Sequence, residues 1–195
     1  VKLTITPVWE QVTPHLSQEL IAFWRDNNAI VDQARAATRA TQAVCIARDE
    51  ADVICGVGTA MIRVLPRLLQ PMYYYRQYFA KAMRGRHQLI PFYQRARQTL
   101  QAHNASLEAP ESLGVLIETE NSKLSSAYNH AYEPSFAATF IGYSPRGAHM
   151  YVSYFDGAIL QPPTLAASIP AGRGMNTHTT TATSPAHLGR TRVQS

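Results

Sequence analysis

Apolar and polar positions along residues 1–160 switch repeatedly between a period of two and a helical period. Leu3-Thr4-Ile5-Thr6 alternates as a short strand that Pro7 ends. Leu16, Leu20, Ile21, Phe23 and Trp24 recur at helical spacing behind Pro14. Residues 32–42 are rich in Ala and Arg and predict a second helix. Residues 43–47 form an unbroken apolar run, the mark of a buried strand. After the polar turn at 48–52, a strand resumes over 53–64, so the two form a hairpin. Pro66 and Pro71 bracket a loop, and residues 72–80 make an aromatic strand (Tyr73, Tyr74, Tyr75, Tyr78, Phe79). The run Arg84-Gly85-Arg86-His87 breaks that strand. A helix is expected over 88–105, where Pro91 is acceptable only in the first turn. Residues 114–118 read as another apolar strand and 121–130 as a short helix. Residues 136–143 and 149–155 flank Ser144-Pro145-Arg146-Gly147 as a hairpin.

This order predicts a mixed α/β fold: a mostly antiparallel central sheet of about seven strands, flanked by helices. The strand–helix–strand unit at 72–118 is the exception, because a helical crossover places its two strands parallel. Residues 161–195 are a different material, with scattered Pro and Gly, no aromatic residue and Thr179-Thr180-Thr181. They cannot bury enough apolar area to offset the entropy of ordering. The expected organisation is a domain over 1–160 and a disordered low-complexity tail over 161–195.

Composition narrows the class. The chain has 195 residues, 46% of them hydrophobic, which suits one domain with a real core and an appendage. No apolar run reaches about 18 residues, so no membrane-spanning helix is expected. Two cysteines are too few for a disulfide scaffold. The opening Val1-Lys2-Leu3-Thr4-Ile5 reads as a strand, not a cleavable signal, and it lacks Met, so a short preceding piece is expected to be missing. A reducing cytoplasm is the expected setting.

The formal net charge is +5, but the tail carries three arginines and no acid. The body is therefore nearly neutral, without the basic stripe of a nucleic-acid binder. One knot stands out: Arg76, Lys81, Arg84, Arg86, Arg95 and Arg97, with no acid between them. The Tyr73-Tyr74-Tyr75-Arg76 run would suit base stacking. A strand buried on one side and lining a cleft on the other explains it better, so a nucleic-acid partner is not expected.

The candidate chemistry begins where the aromatic strand turns into the helix. A helix N-terminus carries unpaired N–H groups and a partial positive charge. Gly85 permits close approach, and Arg84 and Arg86 supply forked donors. These features predict a phosphate or pyrophosphate cradle; the alternative is a solvated arginine rim around an ordinary turn. Glu118 and Glu120 share parity at the end of their strand and are the candidate bases, or else solvated strand-end charges. The histidines show no metal-ligand spacing, so no metal is expected, although His87 at the helix start is suited to donate to a phosphate. Cys45 and Cys55 lie on the two arms of the hairpin, as a cross-strand pair or as two small buried residues. Gly56-Val57-Gly58 lacks the helix a dinucleotide fingerprint needs.

The strand order and the segment from Tyr78 to Ala96 resemble the GCN5-related N-acetyltransferase (GNAT) superfamily, in an uncharacterised bacterial branch. Members carry (Q/R)-x-x-G-x-(G/A) at this turn, where backbone amides hold the pyrophosphate of acetyl-coenzyme A. Arg84-Gly85-Arg86-His87-Gln88-Leu89 falls on that pattern, with Arg84 matching and with His87 and Leu89 in place of the later small residues. Members also show an Asn after the next strand and a Tyr seven residues on, matched by Asn121 and Tyr128; Tyr132 is a rival. The resemblance implies that Tyr128 protonates the departing thiolate; the strand at 72–80 has no carboxylate, so Glu118, with Glu120, is the nearest candidate base, directly or through water. The resemblance also implies that a backbone amide of Phe79 or Ala80 polarises the thioester.

The expected function is transfer of an acetyl (acyl) group from acetyl-CoA, as cosubstrate, to the amine of a small molecule or peptide. The protein is expected to act as a monomer or homodimer. The alternative is a non-catalytic module of the same fold with a degenerate CoA site.

Overall fold

The structure is a computed structural model that describes residues 3–84 and 88–163. The elements run β1 (Thr4–Pro7), α1 (Pro14–Asp26), α2 (Gln33–Ala40), β2 (Ala43–Arg48), β3 (Ile54–Val64), β4 (Pro71–Phe79), α3 (Leu89–Ser106), β5 (Gly114–Thr119), α4 (Ser122–Ala127), β6 (Tyr132–Glu133), β7 (Ala138–Tyr143) and β8 (His149–Tyr154). The sheet has eight strands in the order β1-β2-β3-β4-β5-β8-β7-β6. The eighth is the two-residue β6, too short to leave a periodic trace. Every pairing is antiparallel except β4 with β5, the two strands joined through α3.

The helices start where their caps dictate. Thr13 accepts a hydrogen bond from the Leu16 amide (3.2 Å), with Pro14 in the first turn of α1. Asp32 accepts one from the Arg35 amide (2.6 Å) and opens α2. Helices α1 and α2 cover one sheet face through Leu16, Leu20, Phe23, Trp24, Ala36 and Ala40 against Ile46, Ile54 and Val57. Helix α3 covers the other through Phe92, Tyr93, Ala96 and Leu100 against Val44, Tyr73, Tyr75 and Val115. At about 25 cal/mol per Å² of apolar area, each fully buried large side chain contributes roughly 1.5–3 kcal/mol.

Cys45 and Cys55 are both free and buried. Cys45 stands opposite Gly58 in the ladder, so the two thiols are not cross-strand partners. Gln161, at the start of the expected tail, is held: Gln70 Nε2 donates to its carbonyl (2.9 Å), and its amide donates to Gln70 Oε1 (3.0 Å). From residue 164 onward that expectation lies outside the described residues. Among the described residues no helix is long and apolar enough to cross a membrane.

Two glycines make the centre of the sheet possible. A Cβ on Gly56 would stand 2.4 Å from the Phe79 ring, and one on Gly114 would stand 2.2 Å from the Ser153 carbonyl oxygen and 2.7 Å from the Tyr154 Cα. A ring tip can shift; backbone in a paired strand cannot. Gly114→Ala is therefore expected to destabilise the fold by about 2 kcal/mol or more. Chemical denaturation checks this, and an unchanged midpoint would contradict the close approach of β5 to β8.

Candidate functional site

The site is built by strand divergence. Strands β4 and β5 pair only at Tyr73–Val115, Tyr74–Leu116 and Tyr75–Ile117. Beyond them β4 continues to Phe79 along β3, and β5 continues to Thr119 along β8. A wedge opens between the two ends. The β4 arm is held from both faces. Tyr78 packs edge-on against Phe23 and donates its hydroxyl to the Asn27 carbonyl (3.1 Å), while Phe79 packs against Phe92 (5.0 Å between centroids).

Hydrogen-bond alternation decides which amides face the wedge. The Ala80 amide donates to the Cys55 carbonyl (2.9 Å), so it is committed to β3 and is not free to polarise a thioester. In an antiparallel ladder the direction alternates, so the amides of Phe79 and Gln77 point toward the β5 side, where pairing has ended. The Tyr73 amide follows the same parity and bonds Ser112 Oγ (3.1 Å) in the loop before β5. Of the two amides expected from the sequence, Phe79 has the right direction and Ala80 does not.

Helix α3 begins near the mouth of the wedge. Gln88 is its N-cap residue, and the first helical bond runs from the Phe92 amide to the Gln88 carbonyl (3.1 Å). The amides of Leu89 and Ile90 precede any intrahelical acceptor, and Pro91 supplies none. Gly85, Arg86 and His87 lie outside the described residues. Arg84 is exposed; its Nε donates to the Phe79 carbonyl (3.3 Å), and its guanidinium lies 5.3 Å over the Tyr78 ring.

The rest of the arginine knot does not converge. Arg97 ties α3 to the end of β8, donating to Ser153 Oγ (3.0 Å), the Tyr154 carbonyl (2.6 Å) and Asp156 Oδ1 (3.1 Å). Arg76 lies on the α1/α2 side of the sheet, 4.5 Å over Tyr74.

Each face of the wedge carries one candidate catalytic group. On the α3 face, Tyr75, Tyr93, Phe136 and Tyr128 form a chain of edge contacts at 5.7, 5.1 and 4.8 Å. Tyr128 ends α4 and is half-buried; Tyr132 is exposed on β6. Asn121 caps α4, accepting the Lys123 amide (2.9 Å) on Oδ1. On the α1/α2 face, Glu118 is half-buried, its side chain 5% exposed. Tyr74 donates its hydroxyl to Glu118 Oε2 (2.6 Å), and Arg146 Nη2 donates to Oε1 (3.1 Å). Arg146 also pairs with Glu120. Burial pushes the Glu118 carboxyl up, but hydrogen bonds from Tyr74, Ser144 and Arg146, with the Arg146 charge, outweigh it and hold the pKa below the ordinary value. Among the described residues no group of side chains is arranged to hold a metal ion.

Sequence reasoning singled out Glu118 and Glu120 but missed their partners. Tyr74 shares parity with Arg76 on a strand whose neighbour carries Glu118 and Glu120, which was a readable signal. Arg146 was read only as a turn residue.

No family model and no curated protein matches the chain. Among solved structures, an acetyltransferase of the GNAT family from Streptococcus pneumoniae superposes with a TM-score of 0.54 at 12% identity, covering 80% of this chain and all (100%) of that one. This chain has the GNAT fold. Histone acetyltransferase HPA2 and related acetyltransferase from Corynebacterium glutamicum matches at a TM-score of 0.48 and 15% identity, over 80% and 98% of the two chains. A spermidine N-acetyltransferase SpeG chimera from Vibrio cholerae and hSSAT matches at 0.46 and 10%, over 80% and 95%.

The depressed carboxyl of Glu118 has a consequence for stability. A group whose pKa is lower folded than unfolded contributes stability above the unfolded value and loses it as pH falls through the folded one. Glu118→Gln is expected to cost about 1–3 kcal/mol at neutral pH. The gap from wild type should narrow as pH drops below about 4. Denaturation at several pH values checks this; a gap that stays constant into acid would contradict an ionised, hydrogen-bonded Glu118.

Proposed function

We propose that residues 1–160 form an acyl-CoA-dependent N-acyltransferase that moves an acetyl group from acetyl-CoA to an amine on a small molecule or peptide. The observation that carries this reading is the unpaired wedge, with the Phe79 amide directed into it and α3 starting at its mouth. The chain is taken as a cytoplasmic monomer or homodimer.

Acyl transfer to an amine needs an aligned nucleophile, a polarised carbonyl, a base and an acid. The amides of Leu89 and Ile90, with Arg84, would hold the pyrophosphate, and Asn121 would contact the pantetheine arm. The Phe79 N–H would donate to the thioester oxygen as negative charge develops there. Glu118 would take the proton of the incoming ammonium, directly or through water. Tyr128, on the opposite face, would donate its phenol proton to the departing thiolate.

The alternative of a non-catalytic module has its own support. Leu89 stands where the family motif carries a small residue, Pro91 removes one amide from the cradle, and Arg146 occupies the Glu118 carboxylate.

Coenzyme A is the first test. A ligand at a hundredfold over its Kd stabilises the native state by about 2.7 kcal/mol, enough to raise the melting temperature by several degrees. If CoA raises it, thiol release from acetyl-CoA is measured next. Tyr128→Phe should lower turnover by about 10²-fold or more with CoA affinity unchanged. Arg84→Ala combined with Arg86→Ala should weaken CoA affinity. No thermal shift at millimolar CoA favours the binding-module reading, and an inverted pattern in the variants refutes the role assignments.

A further inference from the structure

Beside the wedge, on the α1/α2 face, lies a second concavity of about 330 Å³ lined by Arg35, Thr38, Arg39, Gln42, Met61 and Arg76. Three of its six lining residues are arginines. A fourth, Arg63, stacks on the Tyr74 ring together with Arg76, at 4.9 and 4.5 Å. Among the described residues, none of these four guanidinium groups forms an ion pair with a carboxylate. Of the nearby acids, Asp32 caps α2 through the Arg35 amide, and Glu120 pairs with Arg146 while its charge also acts on Arg39 and Arg76. Among the described residues the Arg76 Nη2 donates to the Met61 sulfur (3.5 Å).

Such a cluster is costly as it stands. Arg39 and Arg76 are half-buried, and like charges within one pocket repel. Burial, with the charges of Arg76 and Arg35, outweighs the opposing charge of Glu120 and pulls the Arg39 pKa down to about 10. Guanidinium forks held together without a carboxylate are suited to take a planar or tetrahedral oxyanion. The location adds a direction. Arg76 lies on one side of the Tyr74 ring, and the Tyr74 hydroxyl bonds Glu118. The pocket and the candidate base are thus one tyrosine side chain apart.

We propose that this pocket binds an anionic group, carboxylate or phosphate, of the amine acceptor, so that the substrate is a small amine that also carries a negative charge. This rests on the transferase reading: the anion seated among Arg35, Arg39 and Arg76 would hold the amine beside Glu118.

The test is equilibrium binding to the full chain without CoA, using O-phosphoethanolamine, β-alanine and ethanolamine. At least one anionic amine is expected to bind about tenfold or more tightly than ethanolamine, and which one does so tells phosphate from carboxylate. Arg39→Gln and Arg76→Gln should each remove that preference, whereas Arg25→Gln, an equal charge loss at an arginine that pairs with Asp26 and does not line the pocket, should keep it. Arg35→Gln, exposed on α2, serves if a half-buried substitution prevents folding. Equal binding of all three amines, or a preference that survives these substitutions, overturns the proposal. Tighter, steeply salt-dependent binding of a single-stranded DNA oligonucleotide through the same arginines would overturn it in favour of nucleic acid. The CoA melting shift is read separately. Preference for the anionic amine without a CoA shift removes the acceptor role and leaves an anion site; a CoA shift without that preference leaves the transferase and removes the anion pocket.

Discussion

The whole arrangement depends on two strands each being held more strongly by the neighbour on its far side. Strand β4 is paired with β3 at nine positions from Pro71 to Phe79, and β5 with β8 at six from Gly114 to Thr119. Between themselves β4 and β5 share three pairs. Parallel pairing is slightly weaker per residue, and sheet twist rotates adjacent strands apart. Where both outer ladders continue, the inner one is the ladder that gives way. Its loss leaves main-chain donors of β4 unused by β5, and such donors need a partner. The wedge therefore follows from the pairing pattern and does not require a special local sequence.

The two faces of the wedge differ in kind. On the α3 side aromatic edges meet from Tyr75 to Tyr128, a packed apolar wall with a phenol at its end. On the α1/α2 side Tyr74, Glu118, Ser144 and Arg146 form a hydrogen-bonded group, bordered by unpaired arginines. Strand alternation produces this division, because neighbouring residues of β4 and β5 face opposite ways. One strand pair thus sends the proposed proton acceptor to one side and leaves the proposed donor on the other. Acyl transfer through a tetrahedral intermediate would use two distinct groups, one to take the ammonium proton and one to protonate the departing thiolate.

Most elements were readable from periodicity because each is long enough to show one. Strand β6 was not, at two residues. The parallel crossover through α3 followed from the strand–helix–strand order, but the insertion of β8 between β5 and β7 left no mark on either strand. The cationic knot at 76–97 looked like one site in sequence and is several in space. Arg76 follows strand parity to the α1/α2 face, while Arg97 follows helix periodicity to the end of β8. Phe79 and Ala80 could not be separated without the ladder, since only the bond from Ala80 to Cys55 fixes which amide is free. Arg35 and Arg39 were legible as an i,i+4 pair on one helix; that they face Arg76 depends on how α2 docks on β3 and β4. Gly85, Arg86 and His87, central to the expected cradle, lie outside the described residues.

The Arg146 contact bears directly on whether Glu118 can act as a base. A carboxyl held below its ordinary pKa is a weak proton acceptor, which on its face argues against catalysis. Yet the group that contributes to this depression is displaceable. The Arg146 side chain is 65% exposed, so water competes for its contact with Glu118. An ammonium group entering on this face would compete for the same oxygen atom. In the proposed reaction the substrate's own ammonium would take the place of Arg146, keeping a cation at Oε1 and bringing the transferable proton to the carboxylate. Tyr74 remains, holding Oε2 and fixing the carboxylate plane, so Oε1 is the oxygen left to exchange partners. Under the proposed function Glu118 would receive a cation before it receives a proton, which is the order that attack by an ordinarily protonated amine requires.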